Sequence, residues 1–376
     1  MLDRFKHKDK SVSRRKFLTD AARVTLAELA SRRVSLGHSL FADHHSSIPP
    51  FACIDAHTHV FLPDPAFYDT LKRLQLQVVN ICVVDKYEIY FAHNDANAQH
   101  AAALDVFRKS NNRAPWISTF DPSGWESQGF ADRVIQQLDK TFQDGALGVK
   151  IYKCIGMNMK SRAGKYLMPD DPVFDPIFEH IAAKGKTLYA HIAEPRSAWR
   201  PFDPSDFYSS YYQKYPEYNM YAHPERPSKD TILAARDRML KKHPNLRVVG
   251  CHLGSMEEDV DAIARRLELY PNFVVDTAAR MESLMFAPPE KVKAFLIKYQ
   301  DRVLYGSDQS LDPGNTVGKM MKRWQYDFVN HWKSLATTEA VSFAGRKTRG
   351  LALPEPVLRK IFHENAVKWV PGVKAA

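Results

Sequence analysis

Beyond residue 50 the chain alternates short apolar runs with stretches whose apolar residues recur every three or four positions. The runs are "ACIDAH" (52–57), "VVNICVVD" (78–85), "PWISTF" (115–120), "ALGVKIY" (146–152), "KTLYAHI" (186–192), "LRVVGCHL" (246–253), "NFVVDTAA" (272–279) and "RVLYGSD" (302–308). Short segments this rich in β-branched and aromatic residues read as strands. Between them, "FADRVIQQLDKTFQDG" places Phe130, Val134, Leu138 and Phe142 on one helical face and stops at Gly145. "DDPVFDPIFEHIAAKG" opens on Asp and Pro and stops at Gly185, and "SMEEDVDAIARRLELYPN" opens with Ser255 and Glu258 at capping-box spacing. "PEPVLRKIFHENAVKWV" predicts a last helix after a polar insertion. Eight strands alternating with helices predict an α/β fold, a single (β/α)8 TIM barrel with a distorted rim spanning residues 51–376. The structural rival is a doubly wound open sheet, which needs neither eight strands nor polar residues gathered from strands 1, 4, 5, 6 and 8.

Those polar residues carry the candidate chemistry. In a parallel barrel all strand C-termini share one rim, where barrel enzymes keep their active sites. Strand 1 brings His57 and His59 to it, strand 4 Lys150, strand 5 His191, strand 6 His252 and strand 8 Asp308. Strict alternation along strand 1 would put Asp55, His57 and His59 on one face. One histidine at a strand end is an ordinary hydrogen-bonding residue, and Asp308 alone could cap a helix. Together, imidazoles and a carboxylate make good zinc ligands, and three histidines with one aspartate leave room for a water.

The stretches "DAHTHV", "AHIAEP", "GCHLGS" and "LYGSDQ", with the closing "RKIFHENAVKWV", resemble the amidohydrolase superfamily, in particular its amidohydrolase-related (amidohydrolase 2) group of hydrolases and decarboxylases. The resemblance spans residues 51–371. It implies that His57, His59 and His191 bind a divalent metal, zinc foremost, and that Asp308 binds or faces it and takes the proton of the attacking water. It implies that His252 orients that water or polarises the substrate carbonyl. One ion is favoured over two; in a two-metal version Lys150, carboxylated, would bridge the pair. The implied reaction is hydrolysis of an amide, ester or lactone. The alternatives are non-oxidative decarboxylation of a small carboxylic acid and, behind both, a non-catalytic metal- or ligand-binding protein.

Specificity in barrels sits on the loops that follow the strands. The longest follows strand 5, and it carries Trp199, Phe202, Phe207, Tyr208, Tyr211, Tyr212, Tyr215, Tyr218 and Tyr221. It reads equally as a lid over a small-molecule substrate and as a contact between copies in a homo-oligomer. Glu194, Arg196, His223 and Arg280 are the candidate substrate-binding residues, Arg196 or Arg280 holding a substrate carboxylate.

Charge changes little in this picture. The net charge is +10, but residues 1–50 hold ten Lys and Arg against five Asp and Glu, so half of it lies there. No later basic stripe is dense enough to follow a nucleic-acid backbone. No run approaches the ~20 apolar residues of a membrane span. Cys53, Cys82, Cys154 and Cys251 share no CxxC spacing and read as buried thiols. "SVSRRKFLTDAA", with Arg14-Arg15, resembles a twin-arginine export signal, although Asp20, Arg23, Glu28, Arg32 and Arg33 interrupt its apolar part. A working leader implies an exported, periplasmic protein; otherwise residues 1–50 are a basic or disordered segment of a cytoplasmic one.

Overall fold

The computed structural model describes residues 48–85, 95–311 and 316–374. The leader, residues 1–47, lies outside the described residues. Strands β1 (Cys53–Val60), β2 (Leu76–Ile81), β3 (Trp116–Thr119), β4 (Gly148–Ile151), β5 (Thr187–Ala190), β6 (Arg247–Gly250), β7 (Phe273–Asp276), β8 (Val303–Leu304) and β9 (Gln309–Leu311) form one sheet. Its order is β8-β7-β6-β5-β4-β3-β2-β1-β9, and each pairing is parallel. Sequence neighbours are thus spatial neighbours, as short right-handed crossovers require. Only residues 305–308 separate β8 from β9, which pairs with β1 at the other end. Ala56 donates its N–H to Tyr305 O and Asp308 its N–H to His57 O, both at 2.8 Å, so the sheet curls toward itself.

The intervening helices are α1 (Pro65–Arg73), α2 (Ala96–Lys109), α3 (Phe130–Gln143), α4 (Asp175–Ala183), α5 (Lys229–Lys242), α6 (Val260–Leu269), α7 (Met281–Phe286) and α8 (Pro289–Lys298). The face predicted for α3 is the buried one, with Phe130, Val134 and Leu138 inside, and Gly145 follows at φ 97, in the left-handed region that ends helices. The capping box expected at Ser255 does not form. Helix α6 starts later, capped by Asp259, while Ser255 has φ 60 and donates its hydroxyl to Ala193 O at 2.8 Å. The polar insertion folds into a long helix, α9 (Val317–Ala336), and an antiparallel hairpin, β10 (Ala340–Phe343) with β11 (Arg346–Arg349). The last helix runs through Glu355–Arg359, a π-helical turn at Lys360–Glu364, and Asn365–Trp369. In that wider turn Ile361 O accepts the Tyr305 N–H at 2.8 Å, which ties the helix to the chain leaving β8.

One buried cluster draws on seven strands. Ile54 and Ala56 of β1 join Val79, Ile81, Ile117, Tyr189, Val249, Val274 and Leu304, with Ala366, Trp369, Val370 and Val373 packed on it from the C-terminal segment. Among the described residues no helix is long and apolar enough to cross a membrane.

Candidate metal centre

Strand β1 does not keep strict alternation. Its register against β2 shifts between Asp55 and Thr58, where β1 carries one residue more than its partner. Such a bulge turns the following side chains to the other face. Ile54 and Ala56 lie in the interior cluster, yet the His57 ring meets Tyr189 of that same cluster edge-on, centroids 6.2 Å apart. The shared face expected for Asp55, His57 and His59 is therefore broken. Asp55 instead accepts the Ser307 N–H at 2.9 Å and pins the chain just before Asp308.

Three imidazoles are oriented from behind. His57 Nδ1 lies 2.7 Å from Asp276 Oδ2, His59 Nδ1 2.7 Å from Ile81 O, and His252 Nδ1 2.9 Å from Ala278 O. Carbonyl and carboxylate oxygens accept, so each Nδ1 carries the proton and each Nε2 is left with its lone pair. Those lone pairs converge. His57 Nε2 and His59 Nε2 stand 3.5 and 3.3 Å from Asp308 Oδ1, and ligand atoms of His57, His252 and Asp308 all lie within 4.8 Å of one another. The His191 ring sits 4.2 Å from the His252 ring, and its buried Nε2 has no hydrogen-bond partner. Lone pairs turned toward a carboxylate repel one another unless a cation lies between them. The donor set therefore fits a divalent metal ion, and the partners behind the rings match those that usually steer metal-binding histidines.

Burial keeps these groups in ligand form. It pushes His57, His191 and His252 well below the usual histidine range; Lys150 adds to this at His57 and His252 at His191, while Asp308 opposes it at His57 and His252. His57, Cys251 and Asp276 also cluster. There, however, His57 Nδ1 is already spent on Asp276, and burial pushes the Cys251 thiol far up, which keeps its proton on. Lys150 Nζ lies 3.1 Å from His57 Nε2.

The chain ends holding these groups are strained. His252, Leu253 and Ser255 after β6, Ala279 after β7 and Asp308 after β8 all have φ between 49 and 64. Non-glycine residues enter this left-handed region at a cost, and they concentrate at functional sites.

A cavity of about 880 Å³ opens over the cluster, lined by His59, His191, His252 and Asp308, and by Glu194 and Arg280 among the predicted substrate residues. Glu194 is ion-paired with Lys153 and lies 4.0 Å from His191 Nε2. Arg196 and His223 are not brought there. Arg196 faces outward, held by Asp230 at 2.9 Å and Glu258 at 2.7 Å, and His223 lies 3.8 Å from Glu225. Both lie in the segment between β5 and α5, but the chain carries them away from the rim. Sequence reasoning missed Asp276 as a site residue, although "VVDTAA" ends a strand on a carboxylate just as "LYGSD" does. It accepts from His57 Nδ1, from the His252 N–H at 2.7 Å and from the Ala278 N–H at 3.2 Å. Lys153, buried beside Glu194 and Tyr211, was missed as well.

The family model described as amidohydrolase matches residues 54–372. No curated protein matches the chain significantly. Among solved structures, an amidohydrolase II shares 15% identity, with 85% of this chain and 99% of that one covered at a TM-score of 0.50. A 2,6-dihydroxybenzoate decarboxylase complexed with 2,6-dihydroxybenzoate shares 13%, with the same two coverages and TM-score. A 5-carboxyvanillate decarboxylase from Sphingomonas paucimobilis shares 13%, covering 85% and 99% at 0.48. At such identities the first two structures speak for the fold alone; the matched family model covers the strands that carry every histidine and aspartate of the cluster, and the chain belongs to the amidohydrolase family, a family of metal-dependent enzymes.

Proposed function

We propose that the protein hydrolyses an amide, ester or lactone with the help of one divalent ion, zinc foremost, held by His57, His59, His191 and Asp308. The observation that carries this reading is the convergence of the His57, His59 and His252 Nε2 lone pairs on Asp308, each of those three rings fixed from behind, with the unpartnered His191 Nε2 beside them. A mainly imidazole donor set suits zinc. When bound, such an ion lowers the pKa of its water toward ~7 and polarises a carbonyl. The remaining work falls to the protein. Asp308, whose carboxylate faces the cavity, accepts the water proton and returns it to the leaving group. His252 donates through Nδ1 to Ala278 O, so its Nε2 accepts a hydrogen bond. That favours orienting the water over polarising the carbonyl. The reading takes one ion rather than two; Lys150 Nζ, 3.1 Å from His57 Nε2, gives up that contact when His57 binds the ion.

The finer architecture is an eight-stranded barrel closed through the split β8–β9 strand, with residues 51–376 as one catalytic domain. The β1–β9 pairing supports it. After β5, short helical turns present Phe207, Tyr208 and Tyr211 to the cavity, which supports a lid-like rim there. The same centre serves decarboxylation of a small carboxylic acid, the activity named for one structure of this fold. Arg14-Arg15 supports export of the folded enzyme to the periplasm; finding it with an intact N-terminus only in the cytoplasm of its host would end that part. The main test is elemental analysis of the purified chain, then a screen of lactones, esters, amides and aromatic acids with acid release and carbon dioxide both followed. One zinc per chain and acid release are expected. Two ions per chain overturn the mononuclear reading, and carbon dioxide without hydrolysis overturns the reaction.

A further inference from the structure

Two lysines are buried in the wall of the cavity, each 1% exposed. Lys150 reaches toward the metal centre, its Nζ 3.1 Å from His57 Nε2, and pairs with no carboxylate among the described residues. Lys153, just beyond β4, is held quite differently. It is ion-paired with the buried Glu194 and donates to the Tyr211 hydroxyl. Its Nζ stands 3.9 Å from the centre of the Tyr218 ring, 4.7 Å from that of Tyr211 and 4.9 Å from that of Tyr152. Three aromatic faces therefore attract the ammonium and fix where it sits. Tyr218 is itself anchored, its hydroxyl donating to Asp85.

The partner of this lysine lies at the edge of the metal centre. The His191 ring meets Tyr152 edge-on, centroids 5.0 Å apart, and its unpartnered Nε2 is 4.0 Å from Glu194 Oε1. Two atoms bound to one zinc ion at ~2.1 Å stand about 3.4 Å apart. Glu194 Oε1 is thus just outside the shell of ligands that His191 joins. A carboxylate so close to a divalent cation, away from bulk water, closes on it unless another charge holds it back. The Lys153 ammonium is such a charge. Removing it would leave Glu194 buried, ionised and in need of a cation.

We propose that Lys153 is a positioning residue of the metal centre: acting through Glu194, it keeps that carboxylate off the ion and so keeps one position open for water. The inference rests on the proposed metal-dependent reaction and adds the group that prevents the protein from filling every position on the ion. Tyr211 and Tyr218 come from the segment between β5 and α5, so this segment backs the metal centre as well as lining the cavity.

The test is zinc affinity of the full-length protein, stripped with a chelator and titrated against a chromophoric competitor. A second readout is the visible absorption of the cobalt(II)-loaded protein, which weakens as the coordination number rises. Lys153→Met should bind zinc about tenfold more tightly than wild type, with weaker cobalt absorption. On any substrate found, its kcat should fall more than its KM changes. Adding Glu194→Gln to Lys153→Met removes both buried charges and should return affinity and spectrum to the wild-type values. A lysine that served only the packing of the aromatic segment would produce no gain in affinity. Lys153→Gln, whose neutral amide still donates to Glu194, should gain about threefold, and it carries the test if the Met variant does not fold. Unchanged or weaker zinc binding in both Lys153 variants, or a gain that persists in the double variant, overturns the inference and leaves the proposed reaction standing. A wild-type chain that takes up no divalent ion sinks the proposed reaction, and this inference with it.

Discussion

The two ends of the same strands obey different rules. At the floor, Ile54, Val79, Ile117, Val249, Val274 and Leu304 are fully buried, and the C-terminal segment seals them with Ala366, Trp369 and Val370. Two to four residues further on, the same strands deliver His57, His252, Asp276 and Asp308. The floor gathers apolar surface, each buried Å² stabilising by roughly 25 cal/mol. The rim does the opposite. It buries imidazoles and carboxylates, bends His252, Ala279 and Asp308 into left-handed backbone and leaves His191 Nε2 unpartnered. Such burial is unfavourable for folding. A curled parallel sheet with a generous apolar floor can sustain it, which is why reactive groups sit at one end of the strands and stability resides at the other.

The largest effect that would sharpen this division belongs to Asp308. Asp308→Asn removes the proton acceptor while keeping an oxygen near the imidazoles. Turnover should fall by ~10²–10⁴-fold, the usual contribution of a positioned acid or base. Elemental analysis should show metal partly retained. Wild-type turnover in the loaded variant would remove the proton-transfer role.

At the floor the signature reverses. Trp369 is 7% exposed, packs on the interior cluster and lies 5.4 Å above the Arg302 guanidinium. Trp369→Ala should cost about 3–5 kcal/mol of stability, as large-to-small core changes do. At a temperature where the variant remains folded, kcat and metal content should match wild type. A drop in kcat with unchanged stability would break the comparison.

The floor was the more legible end in the sequence. Apolar runs and helical periodicity depend on neighbours along the chain, so eight strands and the buried face of α3 could be read directly. At the rim, residue types at strand ends were legible, which is how His57, His59, His191, His252 and Asp308 stood out. Their supports were not. The bulge between Asp55 and Thr58 depends on pairing with β2, and Asp276 acts through His57, 219 positions earlier in the chain. Arg196 looked like a substrate group until the fold set Asp230 and Glu258 beside it. The π-helical turn at Lys360–Glu364 likewise answers to Tyr305, a partner that no local pattern announces.

Asp276 tests whether the rim depends on that hidden layer. Asp276→Asn keeps size but weakens the acceptor behind His57 Nδ1. Metal affinity should fall ~10–100-fold, as for partners behind other metal-binding histidines. Competition with a chromophoric chelator measures it. Activity at saturating metal should recover most of the way, which separates an orienting residue from a catalytic one. An unchanged affinity would mean that the carboxylate serves folding alone.

The smallest effect concerns a buried histidine that belongs to neither end. His100, on α2, is 8% exposed; its Nε2 accepts the Thr119 N–H at 3.2 Å and lies 3.1 Å from Ser118 Oγ. Burial lowers its pKa from 6.5 to about 4. The rim histidines are depressed by burial too, but their lone pairs face one another, whereas that of His100 is already satisfied by an N–H. Because the folded state resists the proton and the unfolded state takes it near 6.5, the unfolded chain binds more protons between pH 6.5 and 4. Stability contributed by keeping His100 neutral is complete above that window and is lost as the pH falls through it. Between pH 7 and 5.5 the loss from this residue should be about 1 kcal/mol. Urea unfolding of wild type and His100→Asn at both pH values reads it as a difference of differences, so any fixed cost of the substitution cancels. The variant should lose less stability than wild type over this step, with metal content unaltered. Equal losses would show that protonated His100 is tolerated in place. The distinction between a histidine held neutral by a backbone donor and one held ready for a cation would then need another basis than burial.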